Sequence, residues 1–392
     1  MAPPPDPGRD DRPIVAIYRS PLFNASESFV QAHAAGLDRY RPLLVGLEDK
    51  GNARPELRGR LVVPASSHEA LLFKLTGRAP ALVERLRAAE PRLVHAHFAT
   101  DGLLALPLAG ALGVPLLTTL HGYDVSRTRI RLLASGRLSW VRYALLRRRL
   151  IGRGHAFLAV SDAVRSQAIA RGFPAERTFT HYLGIDLEAF AAGAETAQPG
   201  LVLHVGRLVE KKGTAILLDA FARVAAADRG AELVVIGDGP ERRALERRAA
   251  ALGLGGRVRF LGRLPHGEVA QWMRRAWVLA APSATARDGD SEGLPTVVVE
   301  AAAARLPAVA TDHAGIPEAV VDGATGFIVP ERDSEALASR LLDILGSADL
   351  RRRLGSAARE RAERRFDARR QNALLEERYD ALPRQTRPRA SR

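Results

Sequence analysis

Short apolar runs alternate with helix-length segments throughout this chain, and the alternation breaks off once and then restarts. In the first half the runs are Ile14–Tyr18, Pro42–Leu47, Leu93–His97, Pro115–Leu120 and Ala156–Val160. They are separated by helix-like segments at Ser26–Arg39, Ala81–Ala89 and Gly102–Leu112, and Ser161-Asp162 reads as a further helix start. Runs this short and this continuously apolar are strands buried on both faces, so the pattern predicts a parallel sheet covered by helices on both sides. Around Asp186–Gly200 the composition turns to Ala, Gly, Glu and Gln with Pro199, which reads as a linker. The pattern resumes with strands at Leu201–Val205, Glu232–Ile236, Val258–Leu261, Val278–Ala281, Pro307–Thr311 and Phe327–Val329. Helices are expected at Thr214–Ala227, Glu241–Leu252, Glu268–Ala276 and Thr296–Ala304, with three more at Ser334–Leu345, Asp349–Arg365 and Arg369–Leu382.

The fold class is therefore α/β, with two Rossmann-like parallel-sheet domains. With 392 residues, each can hold a full core. The expected division is a disordered tail over 1–12, a first domain over 13–187, a linker over 188–200 and a second domain over 201–365. A C-terminal helix over 366–382 packs back on the first domain, and a disordered tail covers 383–392.

Composition removes several function classes. The chain has no cysteine, which excludes disulfides, thiolate zinc sites and cysteine nucleophiles and fits a reducing cytoplasm. Met1–Arg12 has no apolar core of the kind a signal peptide carries, and no window approaches the length of a membrane span. The net charge of +14 has two readings. Nearly every basic residue is Arg beside abundant Ala, which suits GC-rich coding. Alternatively, the charge attracts an anionic membrane or polyphosphate. No zinc finger, RNA-recognition signature or helix-turn-helix pattern is present, so no nucleic-acid partner is expected. The charge is uneven: no acid falls between Asp124 and Asp162, while nine arginines from Arg127 to Arg153 interleave with leucines and aromatics. Such a stretch either lies on an anionic bilayer or forms a solvated helix face. The protein is expected to be cytoplasmic, with peripheral attachment to the inner face of the plasma membrane as one option.

In doubly wound sheets, functional groups gather at the carboxyl ends of strands. His95, His97, His121 and Ser161 all fall there. His95 and His97 flank one residue of a strand and so share a face; a metal pair is conceivable, but the sequence supplies no evident third ligand. In the second half, Gly206-Arg207 and Lys211-Lys212-Gly213 follow the first strand, in a chain with four lysines. A guanidinium and an ammonium at that edge suit a diphosphate, although a solvated turn is the plain alternative. The spacing is not that of a Walker loop, and Gly237-Asp-Gly-Pro240 is not a dinucleotide fingerprint; the glycines there support only close approach of a ligand to the backbone. Asp288-Gly-Asp290 has metal-site spacing but sits in a loop, so a solvated loop is the better reading and no metal is required. Glu292-Gly-Leu-Pro-Thr-Val-Val-Val-Glu300 reads as a tight loop feeding a helix N-terminus, where free N–H groups meet an anion and carboxylates meet the hydroxyls of a polyol.

These segments resemble glycosyltransferase family 4, whose members have the two-domain GT-B architecture with the domains facing a cleft. The resemblance rests on Val205–Gly213, Gly237–Pro240, Phe260–Leu264, Ser291–Pro295 through Glu300-Ala301, and Gly323–Phe327, together with His121–Asp124 and Val160-Ser161 in the first half. It implies a retaining, metal-independent glycosyltransferase that uses a nucleotide diphosphate sugar as substrate and needs no cofactor. Gly206, Arg207 and Lys212 would hold the diphosphate. Glu292 would contact the transferred sugar, with Gly293, Leu294 and Pro295 around it. Glu300 would bind the ribose, and Arg263 and Leu264 would lie beside the base, with Gly237 nearby. His121 would contact the sugar near the anomeric carbon. Asn24, Ser26, Glu27, Tyr123, Asp124 and Ser161 are acceptor-side candidates. The catalytic set is thus His121, Arg207, Lys212 and Glu292.

Many relatives carry paired glycines after the first strand, whereas here the stretch is Ser20–Ser28. This form resembles the subgroup that builds bacterial exopolysaccharides on lipid carriers. A UDP-sugar is favoured over a GDP-sugar, and a lipid-linked saccharide over a small-molecule or secondary-metabolite acceptor. A nucleotide-sugar epimerase is the competing enzyme class.

Overall fold

The structure, a computed structural model, describes residues 10–22, 28–191 and 197–383. The chain divides into two compact units. The first comprises residues 1–159, 167–181 and 369–392; the second comprises 160–166 and 182–368.

The first unit holds seven strands, β1 (Ile14–Tyr18), β2 (Arg41–Val45), β3 (Leu61–Val62), β4 (Leu93–His97), β5 (Leu116–Leu120), β6 (Ala156–Ala159) and β7 (Thr178–Thr180). All pair in parallel, in the order β3-β2-β1-β4-β5-β6-β7. Its helices are α1 (Ser28–Ala35), α2 (Ser67–Thr76), α3 (Pro80–Ala88), α4 (Ala99–Leu112), α5 (Tyr123–Ser126), α6 (Arg129–Leu133) and α7 (Leu138–Arg153); α8 (Asp162–Ala170) runs across the division between the units.

The second unit holds β8 (Leu201–Val205), β9 (Glu232–Ile236), β10 (Val258–Gly262), β11 (Val278–Ala281), β12 (Ala308–Thr311) and β13 (Gly326–Val329). They are again parallel, in the order β10-β9-β8-β11-β12-β13. Seven helices accompany them: α9 (Thr214–Ala227), α10 (Arg242–Ala251), α11 (His266–Arg275), α12 (Thr296–Ala303), α13 (Ile316–Ala319), α14 (Ser334–Gly346) and α15 (Ala348–Arg365).

The apolar runs read as continuous because successive residues serve two cores. Leu201, Leu203, Val234, Ile236, Leu279 and Ala310 face one cluster, with α11, α12 and α15. Val202, Leu233, Val235, Val278, Ala280 and Val309 face the other, with α9, α10 and α14. In each sheet the strand order reverses once, between β1 and β4 and between β8 and β11. Connections leave in opposite directions at these points and open a crevice at the carboxyl edge.

The last helix, α16 (Ala368–Ala381), contributes Leu375 and Tyr379 to the first unit's core, next to Val15, Ile17 and Leu93. Other boundaries moved. The helix expected to end at Arg39 stops at Ala35, where a Cβ on Gly36 would meet Asn372 Nδ2 of α16 at 2.2 Å. The expected linker begins inside the second unit: Glu188–Phe190 is a 3-10 turn, and Phe190 is fully buried against the His266 ring. Burying a Phe stabilises by about 2–3 kcal/mol, enough to hold such a turn in place. The expected N-terminal tail is structured from Asp10, where Arg12 pairs with Asp10 and donates to the carbonyls of Leu37 and Asp38. Of the tail calls, residues 1–9 and 384–392 lie outside the described residues.

Candidate functional site

The second unit's crevice is built by backbone contact between neighbouring loops. A Cβ at Gly213, whose φ is +66°, would lie 1.8 Å from the Pro282 carbonyl oxygen, so only glycine lets the loop after β8 rest on the loop after β11. Gly237 and Gly239 serve a similar end: their Cβ atoms would lie 1.8 Å from the Gly206 carbonyl oxygen and 2.3 Å from that of Leu208. Those glycines fit one loop to the next.

This packing carries Lys211 and Lys212 onto the β11–α12 loop. Lys212 Nζ stands 3.1 Å from Glu292 Oε1; Lys211 Nζ lies 3.2 Å from Asp290 Oδ1 and 3.9 Å from Glu292 Oε1. Burial alone would raise the Glu292 carboxyl, but the two ammonium groups hold it down at about 2. The Lys212 contact is an ion pair without hydrogen-bond alignment, and the buried Oε1 has no hydrogen-bond partner among the described residues. An ionised carboxylate beside two cations is suited to a hydroxyl donor lying next to an anion.

Glu292 is also fixed through its backbone. Its N–H donates to His313 Nε2 at 3.1 Å, and His313 Nδ1 lies 2.6 Å from Glu331 Oε1. Since Nε2 accepts, Nδ1 carries the proton and donates it to Glu331. His313 is buried at the end of β12 and was missed in the sequence; its position after a strand, at the same edge as the other histidines, was the available signal. Lys211 was noticed in the sequence but left out of the expected site.

The helix N-terminus anticipated at Gly293–Pro295 is that of α12, whose N-cap Pro295 supplies no side-chain cap; Val298 N–H donates to the Pro295 carbonyl, and the N–H groups of Thr296 and Val297 at the positive end of the helix suit an anion. The Gly293 carbonyl accepts from Gly315 N–H, and Leu294 is buried. Glu300 lies one turn into α12, its side chain 12% exposed and 3.4 Å from His266 Nε2. Arg207 is exposed and has no side-chain partner among the described residues; Arg263 is exposed, and Leu264 packs at the edge of the core. The Asp288–Asp290 turn closes on itself, with Asp290 N–H donating to Asp288 Oδ1 and Asp290 pairing with Lys211, so these carboxylates serve the loop.

At the first unit's crevice the histidines form a hydrogen-bonded row. His121 Nε2 lies 3.1 Å from His97 Nδ1, and His97 Nε2 lies 3.2 Å from His33 Nδ1. His33 Nε2 lies 3.1 Å from Tyr379 Oη, which is 2.7 Å from His95 Nδ1; His95 Nε2 meets Thr119 Oγ1 at 2.7 Å. His33, on α1, is the third histidine the sequence did not reveal. The nitrogens of His33, His95 and His97 lie within 4.8 Å of one another, close enough to hold an ion, but each is already satisfied by its neighbours in the row. Burial holds all four neutral: His33 and His121 fall to about 3, and His95 and His97 well below their usual value.

Neutral imidazoles in series couple their tautomers. If Tyr379 donates to His33, each histidine passes a proton along and His121 presents Nδ1–H. If Tyr379 donates to His95, every bond reverses and His121 presents a bare Nδ1. Tyr379, on the last helix, therefore helps decide whether His121 donates to or accepts from a hydroxyl.

The acceptor-side candidates separate. Asp124 is buried and accepts from the N–H groups of Ala99, His121 and Gly122; burial pushes its carboxyl up to about 6 against those donors. It shapes the His121 loop and leaves no oxygen for an acceptor, contrary to expectation. Tyr123 stacks between Phe98 and Trp140. Ser161 is fully buried in the second unit, donating to the Gly293 carbonyl and capping α8 through Val164 N–H, so it too is removed from the acceptor set. Asn24, Ser26 and Glu27 lie outside the described residues.

The chain is similar to known proteins along most of its length. Residues 187–361 match the family described as glycosyl transferases group 1, and residues 27–189 match glycosyltransferase family 4. The chain is 32% identical over 359 residues to the amylovoran biosynthesis glycosyltransferase AmsK of Erwinia amylovora, covering 87% of this chain and 85% of that one. It is 34% identical over 253 residues to the putative colanic acid biosynthesis glycosyltransferase WcaL of Salmonella typhimurium, covering 63% of this chain and 60% of that one. Among solved structures, Anabaena HepE in complex with UDP and glucose superposes with a TM-score of 0.76 at 22% identity, over 95% of this chain and 100% of HepE. That likeness concerns the fold, which is GT-B.

Proposed function

The chain belongs to the family 4 glycosyltransferases, and from that premise we propose a retaining, metal-independent transfer from a nucleotide diphosphate sugar, with UDP as the nucleotide, to a hydroxyl of a lipid-linked saccharide during exopolysaccharide assembly. The observation that carries the proposal is the cluster at the β8/β11 crevice, where Lys211, Lys212 and the ionised, unbonded oxygen of Glu292 meet beside the N-terminus of α12. Two ammonium groups and uncapped N–H groups suit a diphosphate, and Glu292 suits the hydroxyls of the sugar attached to it. The nucleotide and polymer classes draw on the names of relatives: HepE was solved with UDP and glucose, and AmsK and WcaL are named for amylovoran and colanic acid biosynthesis.

In this reading the acceptor oxygen bonds to the anomeric carbon as that carbon's bond to the diphosphate oxygen breaks. The acceptor proton passes to the leaving diphosphate on the same face, and configuration is retained. Lys212 and Arg207 stabilise the negative charge that grows on the leaving group; preorganised groups of this kind each contribute about 10²–10³ in rate. Glu300 holds the ribose, and neutral His121 serves a sugar hydroxyl. The lysines supply the charge a metal would otherwise bring.

The test is a thermal-shift panel of nucleotide sugars, followed by NMR of the anomeric proton in the product with and without EDTA. A UDP-sugar that raises the melting temperature, then yields a retained product in EDTA, supports the proposal. An inverted product, or activity abolished by EDTA and restored by Mg²⁺, refutes the mechanism.

A further inference from the structure

The arginine run noted in the sequence folds into α6 and α7, and its apolar partners stay outside. Ile130 is 79% exposed, Leu138 and Leu145 are each 56%, and Leu133 is 39%. On α2, Leu71 and Leu75 are 54% and 57% exposed, with Leu72 at 38%. These three helices therefore carry most of the exposed large aliphatic side chains among the described residues, so the apolar surface is concentrated rather than scattered. The helices are neighbours: α6 packs on α7, and Arg142 of α7 donates to the Lys74 carbonyl at the end of α2 at 2.7 Å. Between α2, α4 and α7 lies a groove of about 360 Å³, floored by Leu103, Leu106 and Pro107 and rimmed by Arg142, Arg149 and Arg153. Arg127, just before α6, and Arg137, the N-cap of α7, stack over Trp140 of α7, at 4.2 and 5.2 Å from its ring centre.

The charge is of one sign. The chain has 44 acidic residues, yet none lies between Asp124 and Asp162, and Asp124 is buried. The one acid of α2, Glu69, is turned inward to the N–H groups of Ala65 and Leu82. A solvated helix face would mix charges and bury its leucines. A nucleic-acid surface would use the arginines but gain nothing from exposed leucines. A lipid headgroup layer uses both: phosphates take the guanidinium groups, acyl chains take the aliphatic tips, and Trp favours the boundary between them.

We propose that the α2–α6–α7 face docks onto an anionic phospholipid bilayer. Arg129, Arg131, Arg148 and Arg149 meet lipid phosphates, and Leu71, Leu75, Ile130, Leu138 and Leu145 enter the interfacial layer. The inference is independent of the transfer chemistry, since docking needs no donor and no turnover.

The test is cosedimentation of the full chain with vesicles of phosphatidylcholine alone or mixed with phosphatidylglycerol. Two variants, Arg148→Glu/Arg149→Glu and Leu138→Ser/Leu145→Ser, change exposed positions only, and circular dichroism checks their fold. Binding to the mixed vesicles, little to phosphatidylcholine alone, and a loss on the order of a hundredfold in the charge variant and tenfold in the leucine variant are expected. Equal binding to both vesicles, no binding to either, or variants that bind like wild type would overturn the proposal. So would duplex DNA competing the protein off the vesicles in proportion to the arginines while the leucine variant behaves as wild type.

Discussion

Replacing Lys212 by Met keeps the aliphatic stem and removes the charge that Glu292 faces at 3.1 Å. The Glu292 carboxyl is lowered from 4.5 to about 2, so its ionised form is favoured by roughly 3 kcal/mol over its value in the unfolded chain. Without Lys212, burial dominates, because the remaining ammonium, Lys211, is 3.9 Å away and shared with Asp290. The sign then reverses. In the wild type the depressed pKa contributes stability above about 4.5 that is lost as pH falls toward 2. In Lys212→Met a raised pKa costs stability at neutral pH, and acidification relieves it. We expect the variant to be less stable by about 2–4 kcal/mol at pH 8, with the deficit shrinking toward pH 5. Adding Glu292→Gln should restore most of the loss. The assay is urea denaturation in a Trp140→Phe background, where Trp272 and Trp277 report the second unit alone. Equal stability of Lys212→Met and its parent at pH 8, or a deficit that Glu292→Gln does not relieve, would refute the claim that Lys212 offsets the burial of the Glu292 carboxylate in the folded chain.

The two glutamates should fail differently: Glu300→Ala should raise the donor KM about tenfold with kcat little changed, whereas Glu292→Gln should lower kcat by about 10²–10³, and matching kinetic defects would contradict the division of roles. Tyr379→Phe removes the hydroxyl between His33 and His95, so ¹⁵N imidazole shifts of His121 should report a changed tautomer balance, and kcat should fall by about tenfold; unchanged His121 shifts would break the relay argument. Acid should loosen the first unit before the second. Burial depresses His33 and His121 to about 3 and His181 to about 4, and holds His95 and His97 well below their usual value, whereas in the second unit it brings His204 to about 4. The unfolded chain protonates first, near pH 6.5, so each such histidine withdraws up to about 1.4 kcal/mol per pH unit below that value. Asp124, raised to about 6, offsets one of them. Hydrogen exchange at pH 7.5 and pH 5 should show protection lost first in β1, β4 and β5.

The doubly wound plan was legible because buried strands of five residues leave an unmistakable apolar rhythm, and because it restarts once. Elements that carry little apolar signal were not. β3 and β7 are two and three residues long, and α2 exposes its leucines while turning Glu69 inward, the opposite of an ordinary amphipathic helix. Glu292 and Lys212 could be read locally, since each stands beside a glycine that breaks a strand-to-helix pattern. The reason those glycines are needed could not, because the Gly213–Pro282 and Gly237–Gly206 approaches join loops distant in sequence. The same holds for His33 and Tyr379, which reach His97 and His95 from helices at opposite ends of the chain. Ser161 and Asp124 looked like acceptor ligands because they end strands at the functional edge, yet burial shows both committed to backbone N–H and carbonyl groups.

The central claim is that the β8/β11 crevice grips the diphosphate of a nucleotide sugar through its lysines. Calorimetric titration of UDP and uridine into the wild type and Lys212→Met tests it most directly. UDP should bind the wild type and weaken by about tenfold or more in the variant, whereas the small contribution of uridine should be the same in both. UDP binding that ignores the substitution, or uridine losing as much affinity as UDP, would contradict the account.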